Sequence, residues 1–320
     1  MLEEYTDIRP VAVQSAYGDL YFATRKTDNL GVAIKVNKDL SDSGRSRFMR
    51  ENDILHRLME HDNIIQPITR ILTIATGIGQ QQNEYYVMKK ADASLLQWLY
   101  EERAKKIENK KALFEQICIG LKHAHESGYT HRDLHTGNVL VEYALGDTVK
   151  LIDFGRAYDF NSGALLSTST PAWGWLVMPP EIRFGTIESP DSDTYEKGDI
   201  FALGLIWMFL FSTSTDPVGN LRKIEMEMYD FMNPDLSPYE PQNFQPYYTL
   251  TDIEQRRAKF DEWILQKAEE ATKSFQVLLL NVELGDQLTV IARKLIAFNP
   301  DERFNSIDDV LNALNSMEGI

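Results

Sequence analysis

The chain has 320 residues, 43% hydrophobic and 25% charged, a composition that supports a substantial core and excludes global disorder. A formal net charge of −15 argues against a binder of nucleic-acid backbone, which needs a basic face. The single cysteine, Cys118, excludes an internal disulfide, and its pattern with Phe114, Ile117 and Leu121 marks a buried position.

The first ten residues, MLEEYTDIRP, are acidic and do not read as a secretory signal. Residues 5 to about 90 read as strands with one helix. Gly31 to Val36 alternates, with Val32, Ile34 and Val36 on one face and Ala33 and Lys35 on the other. Residues 45 to 60 take helical spacing, with an inner stripe of Phe48, Leu55 and Leu58 and with Met59 beside it. Glu51 falls on that stripe, so its carboxylate needs a cationic partner. From about residue 91 the pattern turns helical. An amphipathic helix is expected over 112–127, then a hairpin with strands near 139–142 and 149–152 and a turn at Leu145-Gly146-Asp147. Helices are expected near 198–211, 286–298 and 306–316. The longest apolar run, Phe201 to Phe211, is too short to cross a bilayer and reads as a buried helix. Residues 213–250, rich in Pro, Tyr, Asn and Asp, read as irregular. The expectation is a cytoplasmic protein with neither a nucleic acid nor a membrane as partner.

Chemistry concentrates around the hairpin. His131-Arg132-Asp133-Leu134-His135-Thr136-Gly137-Asn138 precedes it and Asp153-Phe154-Gly155 follows it. A hairpin brings its two ends together, so Asn138 and Asp153 should be neighbours, an oxygen pair suited to magnesium shared with phosphate oxygens and water. Asp133 stands upstream on the same loop, placed to receive a proton from an attacking hydroxyl. Lys35 and Glu51 can pair and fix an ammonium against phosphate.

These residues, in this order, resemble the eukaryotic-type protein kinases: Val32-Ala33-Ile34-Lys35, Glu51, His131-Arg132-Asp133 with Asn138, and Asp153-Phe154-Gly155. Pro179-Pro180-Glu181 resembles the end of that family's activation segment. Asp199 and Gly204 resemble its central helix, and Arg303 its late arginine, which would pair with Glu181 as a structural element. The resemblance runs from about residue 8 to 316. It implies an α+β, two-lobed kinase fold in a single domain over 1–320. The small antiparallel-sheet lobe with one helix would cover about 1–90 and the larger helical lobe about 91–320. It implies ATP and Mg2+ as cofactors and a protein substrate as partner. Asp133, Lys35, Glu51, Asn138 and His135 would serve catalysis, and Asn138 and Asp153 the metal. Val13, Ser15, Gly18, Leu20, Ala33, Lys35, Met88, Lys90, Leu140 and Asp153 would contact nucleotide.

The chain departs from the family in places. The glycine-rich phosphate loop falls on Val13, Ser15 and Gly18, where only the last glycine remains, which bears on ATP affinity. His135 stands where serine/threonine kinases usually carry Lys. It could hydrogen-bond phosphate or the neighbouring loop backbone. Trp173-Gly174-Trp175 replaces the usual Gly-Thr before Pro179. About 75 residues separate Phe211 from Asp286, more than the family usually spends, so an atypical insertion is expected within about 213–285, with a polar helix near Asp252 to Lys273. Arg132 with Ser167, Thr168, Ser169 and Thr170 suggests regulation by phosphorylation of the activation segment, with self-association for autophosphorylation. A Ser/Thr protein kinase is the expectation. The alternatives are a pseudokinase scaffold, a tyrosine or dual-specificity kinase, and a small-molecule kinase.

Overall fold

Alternating β-branched and small residues make Gly31–Asn37 the central strand, β3, of a five-stranded antiparallel sheet. The computed structural model describes residues 2–11, 18–76, 81–143, 146–161, 177–187, 190–211, 252–262 and 285–317. Strands β2 (Gly18–Arg25) and β5 (Gln81–Lys89) flank β3, and β1 (Tyr5–Pro10) and β4 (Leu72–Thr76) form the edges. Register sets the two faces. Lys35 lies opposite Leu20 and Tyr86, and Ala33 lies opposite Phe22 and Met88. On the other face Val32, Ile34 and Val36 join Tyr5, Ala23, Tyr85 and Val87 in one apolar core. The expected division of β3 into two faces is thus found.

Helix α1 (Asp42–Leu58) starts three residues before the expected position, because Ser41 caps it: its Oγ accepts the Gly44 N–H at 3.1 Å. Capping residues carry no apolar period, so periodicity alone places the start late. Phe48, Glu51, Leu55 and Leu58 are buried as expected. Met59 is the C-cap residue and is exposed, because the helix ends there and the stripe with it.

Contacts divide the chain into two units. The first comprises Met1–Trp98, Ile119–His131 and Gly137–Ala172. Besides the large sheet, it holds β6 (Ala93–Ser94), α2 (Leu95–Trp98) and β7 (Tyr129–Thr130). It also holds the hairpin of β8 (Val139–Glu142) and β9 (Thr148–Leu151), and β10 (Tyr158–Asp159). The hairpin turn is tied down where Trp98 Nε1 donates to Asp147 Oδ2 at 2.8 Å. The loop after α1 is fastened to β9: Leu151 N–H donates to the Asn63 carbonyl at 2.8 Å, and Asn63 Nδ2 donates to the Val149 carbonyl at 3.2 Å. Helix α3 (Ile107–Glu126) begins five residues before the expected 112, since its first turn is polar, and it buries Cys118.

The second unit, Leu99–Cys118, Arg132–Thr136 and Trp173–Ile320, is helical among its described residues. It carries α4 (Pro180–Arg183), α5 (Ser192–Phe211), α6 over residues 253–262, α7 (Gly285–Leu295) and α8 (Ile307–Asn315). Helix α5 is buried almost all round, as its apolar run requires. Gly204 permits close packing there: a Cβ would stand 2.4 Å from Ile296 Cγ2. Trp207 donates through Nε1 to the Leu288 carbonyl at 3.2 Å and meets Phe114 edge-on. Among the described residues, no helix is long and apolar enough to cross a membrane. Helix α6 realises the first part of the polar helix expected near 252–273. Residues 213–250 lie outside the described residues, as do Trp173 and Trp175.

Candidate active site

The first unit gathers a cluster of charge on the polar face of the large sheet. Lys35 Nζ donates to Glu51 Oε1 at 2.5 Å and lies 3.5 Å from Asp153 Oδ1. Tyr86, opposite Lys35 in register, donates its hydroxyl to the same Glu51 oxygen at 2.7 Å. Burial works against the charge on Lys35, but the Asp153 and Glu51 carboxylates outweigh it and hold the ammonium above the ordinary lysine pKa. Burial pushes the Glu51 carboxyl up from its ordinary value, against the pull of the Lys35 ammonium. The Tyr86 phenol is driven well above its ordinary range by burial, aided by the Glu51 carboxylate, so it stays a donor. Lys35 thus faces two carboxylates, and Glu51 accepts two bonds on one oxygen.

The hairpin positions the oxygen pair. Val139 lies opposite Leu151, and the Ile152 N–H donates to the Asn138 carbonyl at 3.1 Å, which sets Asn138 beside the residue preceding Asp153. Asp153 takes a left-handed backbone, φ 63° and ψ 64°, which for a non-glycine residue costs about 1–2 kcal/mol and directs its carboxylate toward Lys35. Gly155 leaves room for this arrangement: a Cβ there would stand 3.2 Å from Asp153 Oδ1 and 3.5 Å from Glu51 Oε2. Phe154 is wholly buried and packs on the His131 ring, whose Nε2 lies 3.0 Å from the Ile152 carbonyl oxygen. Among the described residues, no group of three or more His, Cys, Asp or Glu could form an all-protein metal cage. Asn138 and Asp153 fit magnesium of the kind that keeps water and substrate phosphates in its shell.

The same face of the sheet carries Leu20, Ala33, Lys35 and Met88, four of the residues expected to contact nucleotide. Phe22, opposite Ala33, joins them, with Lys90 Nζ 4.8 Å from its ring centre. Leu140 is half-buried on β8. Gly18 pairs with Asn37, and a Cβ on it would crowd the Val36 carbonyl at 3.1 Å. Val13 and Ser15 lie outside the described residues, as do Ser167, Thr168, Ser169 and Thr170.

In the second unit, Arg132 also has a left-handed backbone, φ 63°, held by its N–H donating to Asp199 Oδ1 at 2.8 Å. Its side chain is fully buried, with the guanidinium over the Tyr195 ring at 5.0 Å. Asp133 follows directly, and its Oδ1 lies 4.0 Å from His135 Nε2. Glu181 and Arg303 form a bidentate pair at 2.7 and 2.6 Å, both side chains almost completely buried. Two arginines of α6 hold the loop after α4: Arg256 Nε donates to the Gly185 carbonyl at 2.8 Å and Arg257 Nε to the Thr186 carbonyl at 2.6 Å.

Comparison with known proteins decides the family. The protein kinase domain family matches residues 14–314. The chain belongs to this family. A serine/threonine-protein kinase, PknD, of Chlamydia trachomatis serovar D is 26% identical over 347 residues, covering 98% of this chain and 31% of the relative. PknD of Chlamydia muridarum is 26% identical over 345 residues, with the same coverage. The chain therefore spans about a third of the length of these curated relatives. The α+β kinase fold expected from the motifs is borne out. The kinase family generally uses ATP and Mg2+. Tyr86, Phe22 and the α6 arginines were not foreseen. Tyr86 sits in a strand of apolar alternation, where a tyrosine looks like any core aromatic. The arginines' acceptors are backbone carbonyls, which leave no mark in sequence.

Proposed function

We propose that this domain transfers the γ-phosphate of ATP to serine or threonine hydroxyls of protein substrates. The observation that carries the reading is the Lys35 ammonium held between the Glu51 and Asp153 carboxylates. An ammonium fixed in this way offers phosphate oxygens a charge that needs no reorganisation, and phosphoryl transfer depends mostly on positioning and electrostatics. Asn138 and Asp153 would hold magnesium, which supplies neutralisation of phosphate charge. Asp133 would orient the acceptor hydroxyl and take its proton, and His135 beside it would contact phosphate. Leu20, Phe22, Ala33 and Met88 offer the adenine an apolar wall on the face that carries Lys35. Serine/threonine preference is supported by the names of the PknD relatives.

Autophosphorylation within Ser167 to Thr170, between two copies of the chain, belongs to the same proposal. Its motive is the Ser/Thr run downstream of Asp153 and the arginine at position 132. The test is incubation with ATP and magnesium, followed by mass-spectrometric mapping of phosphorylated residues on the chain and on Ser, Thr and Tyr peptides. Phosphate on Ser or Thr is expected, at a rate rising with protein concentration for the 167–170 sites. Phosphate confined to Tyr would overturn the specificity. A variant with all four residues changed to Ala that kept full activity would overturn the switch.

A further inference from the structure

We propose that Glu142 is a positioning residue for the nucleotide, tying the end of β5 behind Met88 to the hairpin that carries Leu140 and so fixing the width of the slot between them. The inference deepens the kinase reading above and rests on it. Met88 on β5 and Leu140 on β8 are both expected to contact nucleotide, and both lie in the first unit. After Lys89 the chain leaves the large sheet. By Asp92 it has reached the hairpin, where the Asp92 N–H donates to the Val141 carbonyl at 3.0 Å. Only Lys90 and Ala91 lie between. Each residue of that link brings two soft dihedrals, so the backbone alone sets the separation of sheet and β8 loosely.

A side-chain brace spans the same gap. Lys89 turns to the opposite side of β5 from Met88, and its Nζ donates to Glu142 Oε2 at 2.9 Å. Glu142 stands two residues after Leu140, on the same side of β8. The same Oε2 lies 3.9 Å from Nζ of Lys150, which is buried and donates to the Asp62 carbonyl in the loop after α1. One carboxylate oxygen thus joins the end of the large sheet, the hairpin and that loop. Stability alone is a poor reason for it. Glu142 Oε1 is buried and accepts no hydrogen bond among the described residues, an arrangement that opposes folding. A carboxylate kept there nonetheless is explained by what it holds in place.

The experiment measures binding of adenosine, ADP and ATP by calorimetry, with kcat and KM for ATP alongside, in wild type, Lys89→Met, Lys89→Arg and Glu142→Gln. Lys89 is partly exposed, so Lys89→Met should fold. Its affinity for adenosine and for ATP is expected to fall roughly three- to fivefold, the scale of one partly exposed ion pair. KM for ATP rises more than kcat falls. Lys89→Arg, which keeps a cation in reach of Glu142, restores the affinity. Glu142→Gln weakens binding at least as much, and Lys89→Met adds nothing in that background. A merely structural role would lower the active fraction, and with it kcat, while leaving Kd for adenosine unchanged; that result overturns the proposal. So does a loss seen with ADP and ATP but not with adenosine, which makes Lys89 a phosphate contact, and so does a Lys89→Met effect that persists in Glu142→Gln. Should wild type bind adenosine yet transfer no phosphate, the kinase reading fails, while the adenosine affinities of the variants still decide the brace. Should wild type bind none of the three ligands, both fall.

Discussion

Arg303→Met tests whether the buried pair with Glu181 holds the helical unit together. Arg303 is spent on several partners at once. It forks onto both Glu181 oxygens at 2.7 and 2.6 Å, donates to the Ala297 carbonyl at 2.7 Å, and stacks over Phe201. Methionine fills much of the same volume but supplies no donor, leaving the Glu181 carboxylate buried without its cation. Breaking one side of such a pair costs about 3–5 kcal/mol, a large share of the ~5–15 kcal/mol that holds a typical domain folded. The double variant Glu181→Met/Arg303→Met removes both charges and should recover much of that loss. Urea titration by circular dichroism and by tryptophan fluorescence measures both, and the coupling follows from the double-mutant cycle. A single-variant loss under about 1 kcal/mol, or strictly additive variants, would refute the view that this buried pair is a structural element.

Other perturbations follow from the same geometry. Gly155→Ala places a methyl 3.2 Å from Asp153 Oδ1, so magnesium-dependent nucleotide binding should weaken severalfold while binding without metal changes less; equal losses would count against Asp153 as a ligand. The stacked rings of His61 and His123, 4.4 Å apart, make a pH-dependent contact. Burial, then the neighbouring His123, holds His61 below its ordinary pKa, and its Nδ1 accepts the Asn63 N–H at 3.1 Å. The unfolded chain takes up the proton near pH 6.5 and the folded chain only at lower pH, so stability falls as pH drops from about 6.5 toward the depressed value. His123→Phe keeps a ring and removes the second charge, so the urea midpoint should drop less between pH 7.5 and 5.5; an unchanged drop would show that the stack is not the cause.

Much of the fold was legible because its signals are local. The alternation at Val32, Ile34 and Val36 and the stripe at Phe48, Leu55 and Leu58 each report a face that is buried. The hairpin sets Asn138 beside Ile152 through register, so that neighbourhood could be read from spacing. The left-handed backbones at Arg132 and Asp153 could not, since a positive φ is uncommon for any non-glycine residue, even for aspartate, where it is enriched. Nor could the partner of the Glu51 oxygen besides Lys35. Tyr86 is 35 positions away, and only the pairing of β3 with β5 brings it there. The early start of α1 depended on the Ser41 cap, which hydrophobic period does not register.

The most direct test of the kinase reading is phosphate transfer from radiolabelled ATP to protein in the presence of magnesium, measured side by side for wild type and Asp133→Ala, with nucleotide binding measured on both. Asp133 belongs to the loop held at Arg132 by Asp199, and its loss should leave that anchor and the Lys35–Glu51 pair in place. Transfer by wild type, and its loss by about a hundredfold or more in the variant with ATP affinity retained, is the predicted result. Undiminished transfer by Asp133→Ala, or none by wild type with ATP and magnesium bound, would contradict it.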